Sequence, residues 1–246
     1  MGEIRKLTVV VPAYNEEGTI YGLLGRVHRV QLVRGIGKEV VVVNDGSRDA
    51  TEAEVLRFTA DHPECQVVYC RHERNLGKGA AIHTAIEAAT GDCLIVQDAD
   101  LEYDPQELNI LLEPLADGRA DVVYGSRFVG GRAHRILFFW HSIGNKFLTL
   151  LSNACNNLNL TDMETGYKLF RTEILRRLAL KERRFGFEPE VTAKVSRVPG
   201  VRIYEVGISY HGRTYQQGKK ITWRDGFQAI YCILRYSLFE RPFRED

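Results

Sequence analysis

Three carboxylates lie close together near the middle of the chain. Asp98 and Asp100 follow the largely apolar run from Cys93 to Gln97, and Glu102 comes two residues later. Carboxylates at the point where a buried strand ends can hold a hard divalent cation against the phosphates of a nucleotide. The spacing therefore indicates group transfer from a nucleotide donor.

A solvated loop is the alternative for this segment. Asp-x-Asp pairs occur by chance, and Asp104 is well placed to cap a helix that begins at Pro105. No Lys or Arg separates the three carboxylates, however, so they would repel one another at neutral pH. A bound cation relieves that repulsion, which favours a metal site.

Composition sets limits on the class of protein. The chain has 246 residues, a formal net charge of +1 and five cysteines that form no Cys-x-x-Cys pair. We expect a soluble globular protein with one large domain, with or without an appendage, and no overall attraction for nucleic acid. The scattered cysteines are typical of a reduced, cytoplasmic protein. No signal peptide opens the sequence and no apolar stretch approaches ~20 residues, so we expect that the chain does not cross a bilayer alone.

Short β-branched runs alternate with helical patterns along the first half of the chain. The strand candidates are Leu7 to Val11, Glu39 to Val43, Gln66 to Cys70, Cys93 to Gln97 and Asp121 to Tyr124. The helical patterns are residues 17–33, 50–60, 78–89 and 105–115. This alternation predicts a doubly wound α/β fold whose ligand site lies outside the carboxyl ends of the strands.

Polar residues suited to a nucleotide follow each predicted strand. They stand at 12–17, 44–49, 74–79, 98–102 and 125–127. Each group also has an ordinary interpretation as a turn or a helix cap, which we favour for Ser47, Asp49 and Asn75. Five such groups in succession predict one crevice, because the carboxyl ends of parallel strands share one edge of the sheet. Gly77-Lys78-Gly79 fits a tight strand-to-helix turn better than a dinucleotide fingerprint, which needs a further glycine.

Four motifs in this order resemble the inverting family 2 glycosyltransferases of the GT-A fold. They are Val-Val-Pro-Ala-Tyr-Asn-Glu-Glu from Val10, Val-Asn-Asp-Gly-Ser-Arg-Asp from Val43, Asn-Leu-Gly-Lys-Gly-Ala from Asn75 and Asp-Ala-Asp-Leu-Glu from Asp98. The chain looks most like the branch that transfers mannose or glucose to dolichyl or polyprenyl phosphate, from about Leu7 to Tyr236.

The resemblance implies an α/β fold of the GT-A, Rossmann-like kind, with a mixed, mostly parallel sheet flanked by helices. A glycosyltransferase domain over residues 1–215 is expected. Residues 216–246 are expected to form a basic and aromatic C-terminal amphipathic segment that packs on the domain or on a membrane surface.

The resemblance also implies roles for individual residues. The donor-binding residues are Pro12, Tyr14, Glu16, Val43, Asp45, Asp98, Ala99 and Asp100. The metal ligands are Asp98, Asp100 and Glu102, with Mg²⁺ or Mn²⁺ as the cofactor, although the mannosyltransferases usually have Gln where this chain has Glu102. The catalytic residues are Asp100, Arg127, Arg213 and Lys219. The three basic side chains meet the donor diphosphate and the acceptor phosphate, which suits their charge.

Two apolar segments bear on the acceptor. Ile136 to Trp140 and Phe147 to Leu151 are too apolar for a solvated face and too short for a membrane span, as in an amphipathic segment at an interface. A buried helix or a dimer contact explains them equally well from the residues alone. The resemblance favours a lipid phosphate acceptor, and with it a peripheral protein at the cytoplasmic face of a membrane. A homo-oligomer and a separate transmembrane partner are both compatible with this interpretation.

The expected reaction moves a hexose from a nucleotide-diphosphate sugar of the GDP-mannose or UDP-glucose type to polyprenyl phosphate, with inversion. A phosphate acceptor is already anionic, so the enzyme needs only to position the two substrates and to stabilise the charge on the leaving diphosphate. A saccharide or protein hydroxyl would need a general base, for which Asp162 or Glu164 is available. A nucleotidyltransferase is disfavoured by the missing Gly-rich loop after the first strand. A non-catalytic nucleotide-sugar-binding protein is disfavoured by the intact carboxylates and basic residues.

Overall fold

The computed structural model describes residues 2–130, 139–212, 223–240 and 243. Its strands are β1 (Lys6–Ala13), β2 (Gly37–Asn44), β3 (Val67–Arg71), β4 (Cys93–Val96), β5 (Val122–Ser126), β6 (Lys168–Arg171) and β7 (Ile203–Gly207). Its α-helices are α1 (Ile20–Arg29), α2 (Thr51–Asp61), α3 (Lys78–Ala88), α4 (Leu108–Ala116), α5 (Phe139–Asn156), α6 (Thr172–Arg177), α7 (Phe187–Val195) and α8 (Trp223–Leu238). Short 3₁₀ turns at Val33–Gly35 and Pro105–Glu107 complete the described elements.

The described strands form one 7-stranded sheet in the order β3-β2-β1-β4-β6-β5-β7. All neighbouring pairs are parallel except those of β6, which runs antiparallel to both β4 and β5. The strands are held in the sheet by valine-rich runs that are buried on both faces, as a parallel sheet between helices requires.

Successive residues of the central strands face two separate apolar cores. Val9 and Val11 of β1 pack in the core beneath α1, α2 and α4, whereas Val10 packs in the core beneath α3, α6 and α7. This period of two is the ordinary geometry of a strand, and it places helices on both faces of the sheet. The predicted α/β fold with a mixed, mostly parallel sheet is confirmed.

The five predicted strands and four predicted helices are all present, within a few residues of the expected bounds. The sequence patterns did not separate β6, which has four residues, from its surroundings. β6 inserts between β4 and β5 and thereby carries the segment before it, residues 162–167, to the carboxyl end of β4. This insertion joins the second half of the chain to the predicted crevice.

The C-terminal helix α8 packs against α5 and α7. Cys232 and Tyr236 of α8 form a small buried cluster with Ala193 of α7. Phe243 forms an isolated antiparallel bridge with Leu178, next to α6. Within the described ranges, no helix combines the length and the apolar character that crossing a bilayer demands.

Candidate active site

The loops after β1 and β2 are tied together by hydrogen bonds. Asn15 adopts a left-handed conformation (φ 55°), and its backbone N–H donates to Ser47 Oγ at 3.0 Å. The Arg48 N–H donates to Asn15 Oδ1 at 2.9 Å, and the Glu16 N–H donates to Thr51 Oγ1 at 2.8 Å. These bonds fix the first loop against the second at the carboxyl edge of the sheet.

The predicted nucleoside-binding residues sit in and under these loops. Pro12 lies near the end of β1, Tyr14 and Glu16 lie in the loop that follows, and all three are half-buried. Val43 is fully buried within β2 and contributes to the apolar core under the loops. The structure thus groups four of the predicted donor residues at the same end of β1 and β2, with Val43 below the surface.

Asp45, the fifth of these residues, is buried and bonded to the protein on both oxygens. Its Oδ1 atom lies 2.7 Å from His72 Nδ1 and accepts from the Leu76 N–H at 2.9 Å. Its Oδ2 atom accepts from the Gly77 N–H at 2.8 Å. Asp45 therefore orders the loop that leads from β3 into α3, in addition to any contact with a ligand.

Gly77 allows the close approach of backbone at the start of α3. Its φ angle is 105°, and a Cβ atom there would lie 2.4 Å from the carbonyl oxygen of Arg183. A side chain at this position would force the loop apart, which explains the glycine before Lys78.

Lys78 pairs with Asp98 at the centre of the crevice. Lys78 Nζ lies 2.7 Å from Oδ1 and 3.0 Å from Oδ2 of Asp98, and both side chains are about one-fifth exposed (22% and 21%). Burial opposes the charge on Lys78, but Asp98 and Glu188 outweigh that effect and raise the pKa of its ammonium group. Lys78 is therefore a cation at neutral pH, and it is the cationic partner of Asp98.

A chain of alternating charges continues from Lys78 into the interior. Glu188 Oε1 lies 3.9 Å from Lys78 Nζ, and Glu188 Oε2 accepts a hydrogen bond from Lys168. Lys168 is almost fully buried and its ammonium also donates to the carbonyl oxygen of Thr165. Because each buried charge has an opposite neighbour, the network holds α3, β6 and α7 in a fixed relation below the crevice.

The carboxylate loop itself has a constrained backbone. Leu101 has a positive φ of 61°, which is uncommon for a branched side chain. Asp100 Oδ1 accepts from the Glu102 N–H at 3.1 Å, and the Tyr210 hydroxyl donates to Glu102 Oε2 at 2.6 Å. Ala99 is buried at the start of the loop. The loop is thus fixed by local bonds and by a contact from beyond β7.

The predicted metal ligands fit a hard cation by chemistry, since Asp98, Asp100 and Glu102 offer only carboxylate oxygens. The Lys78 ammonium on Asp98 is a cationic contact at one end of this set. The three carboxylates do not converge as a closed three-ligand cluster. Among the described residues, the three whose ligand atoms all lie within 4.8 Å of one another are His28, His62 and Glu64.

Arg127, at the end of β5, is clamped by Asp162. Its Nε and Nη2 atoms donate to the two carboxylate oxygens at 2.6 and 2.7 Å, and its backbone N–H donates at 3.1 Å. The guanidinium also lies 5.1 Å from the centre of the Tyr210 ring. Burial opposes its charge, but Asp162 outweighs burial and holds the pKa of Arg127 above its usual value. Asp162 is fully buried and also accepts from Asn145 Nδ2 of α5 at 3.1 Å.

Glu164 has different surroundings from Asp162. Its Oε1 atom is buried and has no hydrogen-bond partner within the described residues. Burial raises the pKa of its carboxyl group to about 7, with Lys168 lowering it and Glu188 raising it. A carboxyl group with this pKa exchanges a proton near neutral pH, which is the property of a general acid or base.

Three tyrosines brace the carboxylate loop from behind. The rings of Tyr103 and Tyr167 stack with centroids 5.1 Å apart, and Tyr210 packs on Tyr103 at 5.4 Å. The Tyr103 hydroxyl accepts from the Gly166 N–H at 3.0 Å. A Cβ atom on Gly166 would lie 2.8 Å from Asp98 Oδ2, so the glycine leaves room for the Lys78–Asp98 pair.

Sequence reasoning did not assign roles to Lys78, His72, Tyr103 or Tyr210. The usable signal for Lys78 was its place between two glycines at the start of a predicted helix that follows a strand. The aromatic contacts join residues from distant segments and left no local signal. Arg213 and Lys219, predicted to meet phosphates, lie outside the described residues.

An apolar surface borders the Arg127–Asp162 end of the crevice. The exposed apolar residues of α5 are Phe139, Trp140, Ile143, Phe147 and Leu150. Those of α8 and the residue after it are Phe227, Tyr231, Leu234, Leu238 and Phe239. We call these ten residues the apolar face. Trp140 is 79% and Phe239 82% exposed, although such side chains are normally covered.

The inner side of α5 connects the apolar face to the crevice. Asn145 contacts Asp162, and Thr149 Oγ1 accepts from the Met163 N–H at 3.2 Å. The same helix therefore presents apolar side chains to the exterior and polar side chains to the candidate active site.

Comparisons with known proteins agree with this geometry. The chain is 27% identical over 238 residues to the dolichol-phosphate mannosyltransferase of Pyrococcus furiosus, covering 94% of this chain and 64% of that protein. It is 31% identical over 213 residues to the undecaprenyl-phosphate 4-deoxy-4-formamido-L-arabinose transferase of Pseudomonas aeruginosa, covering 87% of this chain and 60% of that protein. The chain thus spans less than two thirds of the length of these two relatives.

Similarity of fold extends to a solved structure. Glucosyl-3-phosphoglycerate synthase from Mycobacterium tuberculosis, in complex with Mn²⁺, uridine diphosphate and phosphoglyceric acid, superposes with a TM-score of 0.72 and 22% identity. The match covers 96% of this chain and 80% of that one, which supports the predicted GT-A, Rossmann-like fold. The model of the family described as glycosyl transferase family 2 matches residues 8–179. The chain therefore belongs to glycosyl transferase family 2.

Proposed function

We propose that this chain is a metal-dependent, inverting hexosyltransferase that uses a nucleotide-diphosphate sugar as donor and a polyprenyl phosphate as acceptor. The observation that carries the acceptor assignment is the apolar face on α5, the helix whose Asn145 contacts Asp162 in the crevice. An acceptor with a phosphate head and an apolar tail matches this pairing of a charged crevice and an exposed apolar surface. The names of the two relatives, which act with dolichol phosphate and undecaprenyl phosphate, support the same assignment.

The nucleoside of the donor is assigned to the loops after β1 and β2. Pro12 lies near the end of β1, Tyr14 and Glu16 lie in the loop after it, and Val43 and Asp45 lie at the end of β2. An aromatic ring packs on a base, and a carboxylate accepts hydrogen bonds from ribose hydroxyls or base N–H groups. This assignment specifies neither the sugar nor the base, so donors of the GDP-mannose type and of the UDP-glucose type are both candidates.

The diphosphate is assigned to the carboxylate loop, at Asp98, Ala99 and Asp100. Asp98, Asp100 and Glu102 would hold Mg²⁺ or Mn²⁺, which when bound supplies positive charge for the departing diphosphate. Lys78 adds a fixed positive charge to this part of the crevice through its contact with Asp98. Asp100 is proposed as a catalytic residue on this basis.

Basic side chains are assigned to the phosphates. Arg127 is fixed by Asp162, and one planar guanidinium held in place is suited to phosphate oxygens. Arg213 and Lys219 are proposed for the same work from the family resemblance, and both lie outside the described residues. Together these charges would stabilise the leaving nucleoside diphosphate.

The proposed chemistry is a single in-line displacement. An oxygen of the acceptor phosphate forms a bond to the anomeric carbon, while the bond from that carbon to the diphosphate oxygen breaks. The electron pair leaves with the nucleoside diphosphate, and the anomeric configuration inverts. The phosphate attacks as an anion, so binding and orientation replace a general base.

The apolar face would bind the surface of the membrane that contains the lipid acceptor. Residues 1–215 would form the catalytic domain, and residues 216–246 would pack on the domain or on the membrane. Aromatic side chains such as Trp140 favour the boundary between lipid and water. The proposed location is peripheral, at the cytoplasmic face of the membrane.

A saccharide or protein hydroxyl is the second candidate acceptor, and one observation favours it. Glu164 has a buried Oε1 atom without a hydrogen-bond partner in the described residues, and its pKa is raised to about 7. Asp162, the other base candidate, is engaged by Arg127 and Asn145. A hydroxyl acceptor would therefore place Glu164, rather than Asp162, in the role of general base.

One assay separates these candidates. Purified protein with Mg²⁺ or Mn²⁺ is incubated with each of GDP-mannose, UDP-glucose and UDP-N-acetylglucosamine, with and without polyprenyl phosphate, and products are identified by mass spectrometry. We expect glycolipid and nucleoside diphosphate from one donor, and loss of both in Asp100→Ala. Diphosphate release that is indifferent to the lipid would contradict the polyprenyl phosphate assignment. Retention of the donor's anomeric configuration would contradict the single displacement.

A further inference from the structure

Two histidines and a glutamate meet at the ends of α1 and α2. His28 Nε2 lies 3.1 Å from Glu64 Oε1, and His62 Nδ1 lies 3.4 Å from the same oxygen. One ligand atom of each of the three residues lies within 4.8 Å of the other two. The side chains of His28 and His62 are 29% and 34% exposed, and that of Glu64 is 59% exposed. The cluster is therefore open to solvent on the Glu64 side.

These separations match those between ligands of a tetrahedral zinc ion. Bonds of about 2.0–2.1 Å from zinc to nitrogen or oxygen place neighbouring tetrahedral ligands about 3.3 Å apart. Two of the contacts in the cluster have nearly this length. Two imidazoles and one carboxylate are also a donor set that Zn²⁺ accepts, with water in the remaining position.

The two imidazole rings are held in place without a metal. Their centroids are 5.3 Å apart, and the Phe58 ring lies 4.6 Å from that of His62 and 6.5 Å from that of His28. Phe58 is fully buried in the core between α1 and α2. The Cys65 N–H donates to the His62 carbonyl at 3.0 Å and fixes the turn that carries Glu64. Ligands that are positioned in advance lose less entropy on binding a metal.

The ammonium group of Lys38 is engaged at the end of α1. Lys38 Nζ donates to the carbonyl oxygens of Val27, His28 and Val30 at the end of α1. Its charge is thus committed to the helix end, where cations are favourable. The three residues of the cluster, His28, His62 and Glu64, are all separate from those assigned to the candidate active site.

The cluster lies far from the candidate active site. α1 starts near the crevice at Ile20, and His28 comes eight residues later, which is about 12 Å along a helix. α2 starts at Thr51, whose side chain contacts Glu16, and His62 follows the last turn of that helix. The cluster therefore lies toward the opposite end of the strands from the carboxylate loop.

We infer that His28, His62 and Glu64 form a zinc site, separate from the donor site, which joins the C-terminal end of α1 to the turn between α2 and β3. The site would bind a divalent transition metal that prefers imidazole nitrogen, and Zn²⁺ is the metal that fits it best. The site ties together two elements that are 34 positions apart in the chain. The inference rests on this cluster alone and stands whether or not the proposed acceptor is correct.

Calorimetric titration of the full chain with Zn²⁺, in excess Mg²⁺ to occupy oxygen-only sites, tests this inference. We expect one equivalent to bind, and we expect His28→Gln and His62→Gln each to lose about tenfold or more in affinity. Zn²⁺ at about 100 times its Kd should raise the Tm of the unmutated chain by roughly 5–10 °C, and the same Zn²⁺ concentration should raise the Tm of each variant by no more than about half as much.

His83→Gln is the matched control, since His83 is a half-buried histidine of α3 outside the cluster. It should retain the Zn²⁺ affinity of the unmutated chain. Glu64→Gln, at an exposed position, provides a further ligand variant if either histidine variant fails to fold. An unmutated chain that binds no Zn²⁺ in excess Mg²⁺, or cluster variants that bind it with unchanged affinity, would overturn the inference.

Discussion

The ammonium of Lys78 and the carboxylate of Asp98 lie 2.7 Å apart at the centre of the candidate active site. Lys78 begins α3, and Asp98 follows β4, so the pair joins two strand-to-helix connections of the sheet. The contact places a positive charge beside the first carboxylate of the loop that we assign to the donor diphosphate. In the proposed reaction, Lys78 would orient Asp98 and add positive charge where negative charge develops.

Removal of this ammonium should slow the transfer reaction. In Lys78→Met, we expect kcat to fall by roughly 10²–10³-fold, the usual effect of losing one group that stabilises developing charge. The rate of nucleoside diphosphate release under saturating donor measures this change. Lys181→Met is the control, because Lys181 is an exposed lysine that pairs with Glu240 away from the crevice. Equal rates in Lys78→Met and the unmutated chain would remove Lys78 from the mechanism.

A methyl group at position 166 should displace the side chains of the Lys78–Asp98 pair. In Gly166→Ala, the new Cβ atom would lie 2.8 Å from Asp98 Oδ2 and 3.2 Å from Lys78 Nζ, closer than side chains normally approach. We expect a loss of activity of at least about tenfold from the displaced carboxylate, measured as glycolipid formed per minute.

Gly22→Ala is the matched control for this substitution. Gly22 lies within α1, where a Cβ atom would meet nothing within 4 Å. Alanine there should leave activity unchanged and raise the free energy of unfolding by about 1 kcal/mol, because it restricts the unfolded chain and favours a helix. A Gly166→Ala variant as active as Gly22→Ala would contradict the packing argument.

Glu164 should make stability depend on pH near neutrality. Its pKa in the folded state is about 7, above the ordinary 4.5, so the folded protein binds more protons than the unfolded chain between these values. The free energy of unfolding should therefore fall as pH rises from about 5 to 8, by up to about 3 kcal/mol. Chemical denaturation across this range measures the change, and Glu164→Gln should remove most of it. A Glu164→Gln variant whose free energy of unfolding has the same pH dependence would contradict the raised pKa of Glu164.

The apolar face should bind lipid. In the double variant Trp140→Ser and Phe147→Ser, two side chains that are 79% and 54% exposed become polar. We expect binding to vesicles that contain anionic phospholipid to weaken by about tenfold or more, because the transfer of each aromatic side chain from water into the lipid is favourable. Sedimentation with vesicles measures the bound fraction. Leu56→Ser is the control, as Leu56 is 53% exposed on α2, outside the apolar face. Equal effects of the two changes would argue against a specific membrane surface.

The sequence by itself determined the parts of this protein that depend on local pattern. Continuous valine-rich runs defined β1 and β2, and the turn residues after them, such as Asn15 and Asp45, marked the edge of the sheet at which we propose the donor binds. The motif around Asp98 indicated both the site and the family. These features are readable because a strand, a turn or a cap is decided by neighbouring residues.

Only the tertiary structure decided which distant residues meet. Lys78 and Asp98 are 20 positions apart, and their contact depends on α3 packing across β2 and β1, which brings its first residue beside the end of β4. Arg127 meets Asp162 because β6 inserts antiparallel between β4 and β5. β6 has only two apolar residues, between Lys168 and Arg171, so no apolar run in the sequence marked it as a strand. The pairing of His28 with Glu64 has the same cause, since it depends on α1 packing against α2. Such contacts follow from how elements pack, and packing is a property of the whole chain.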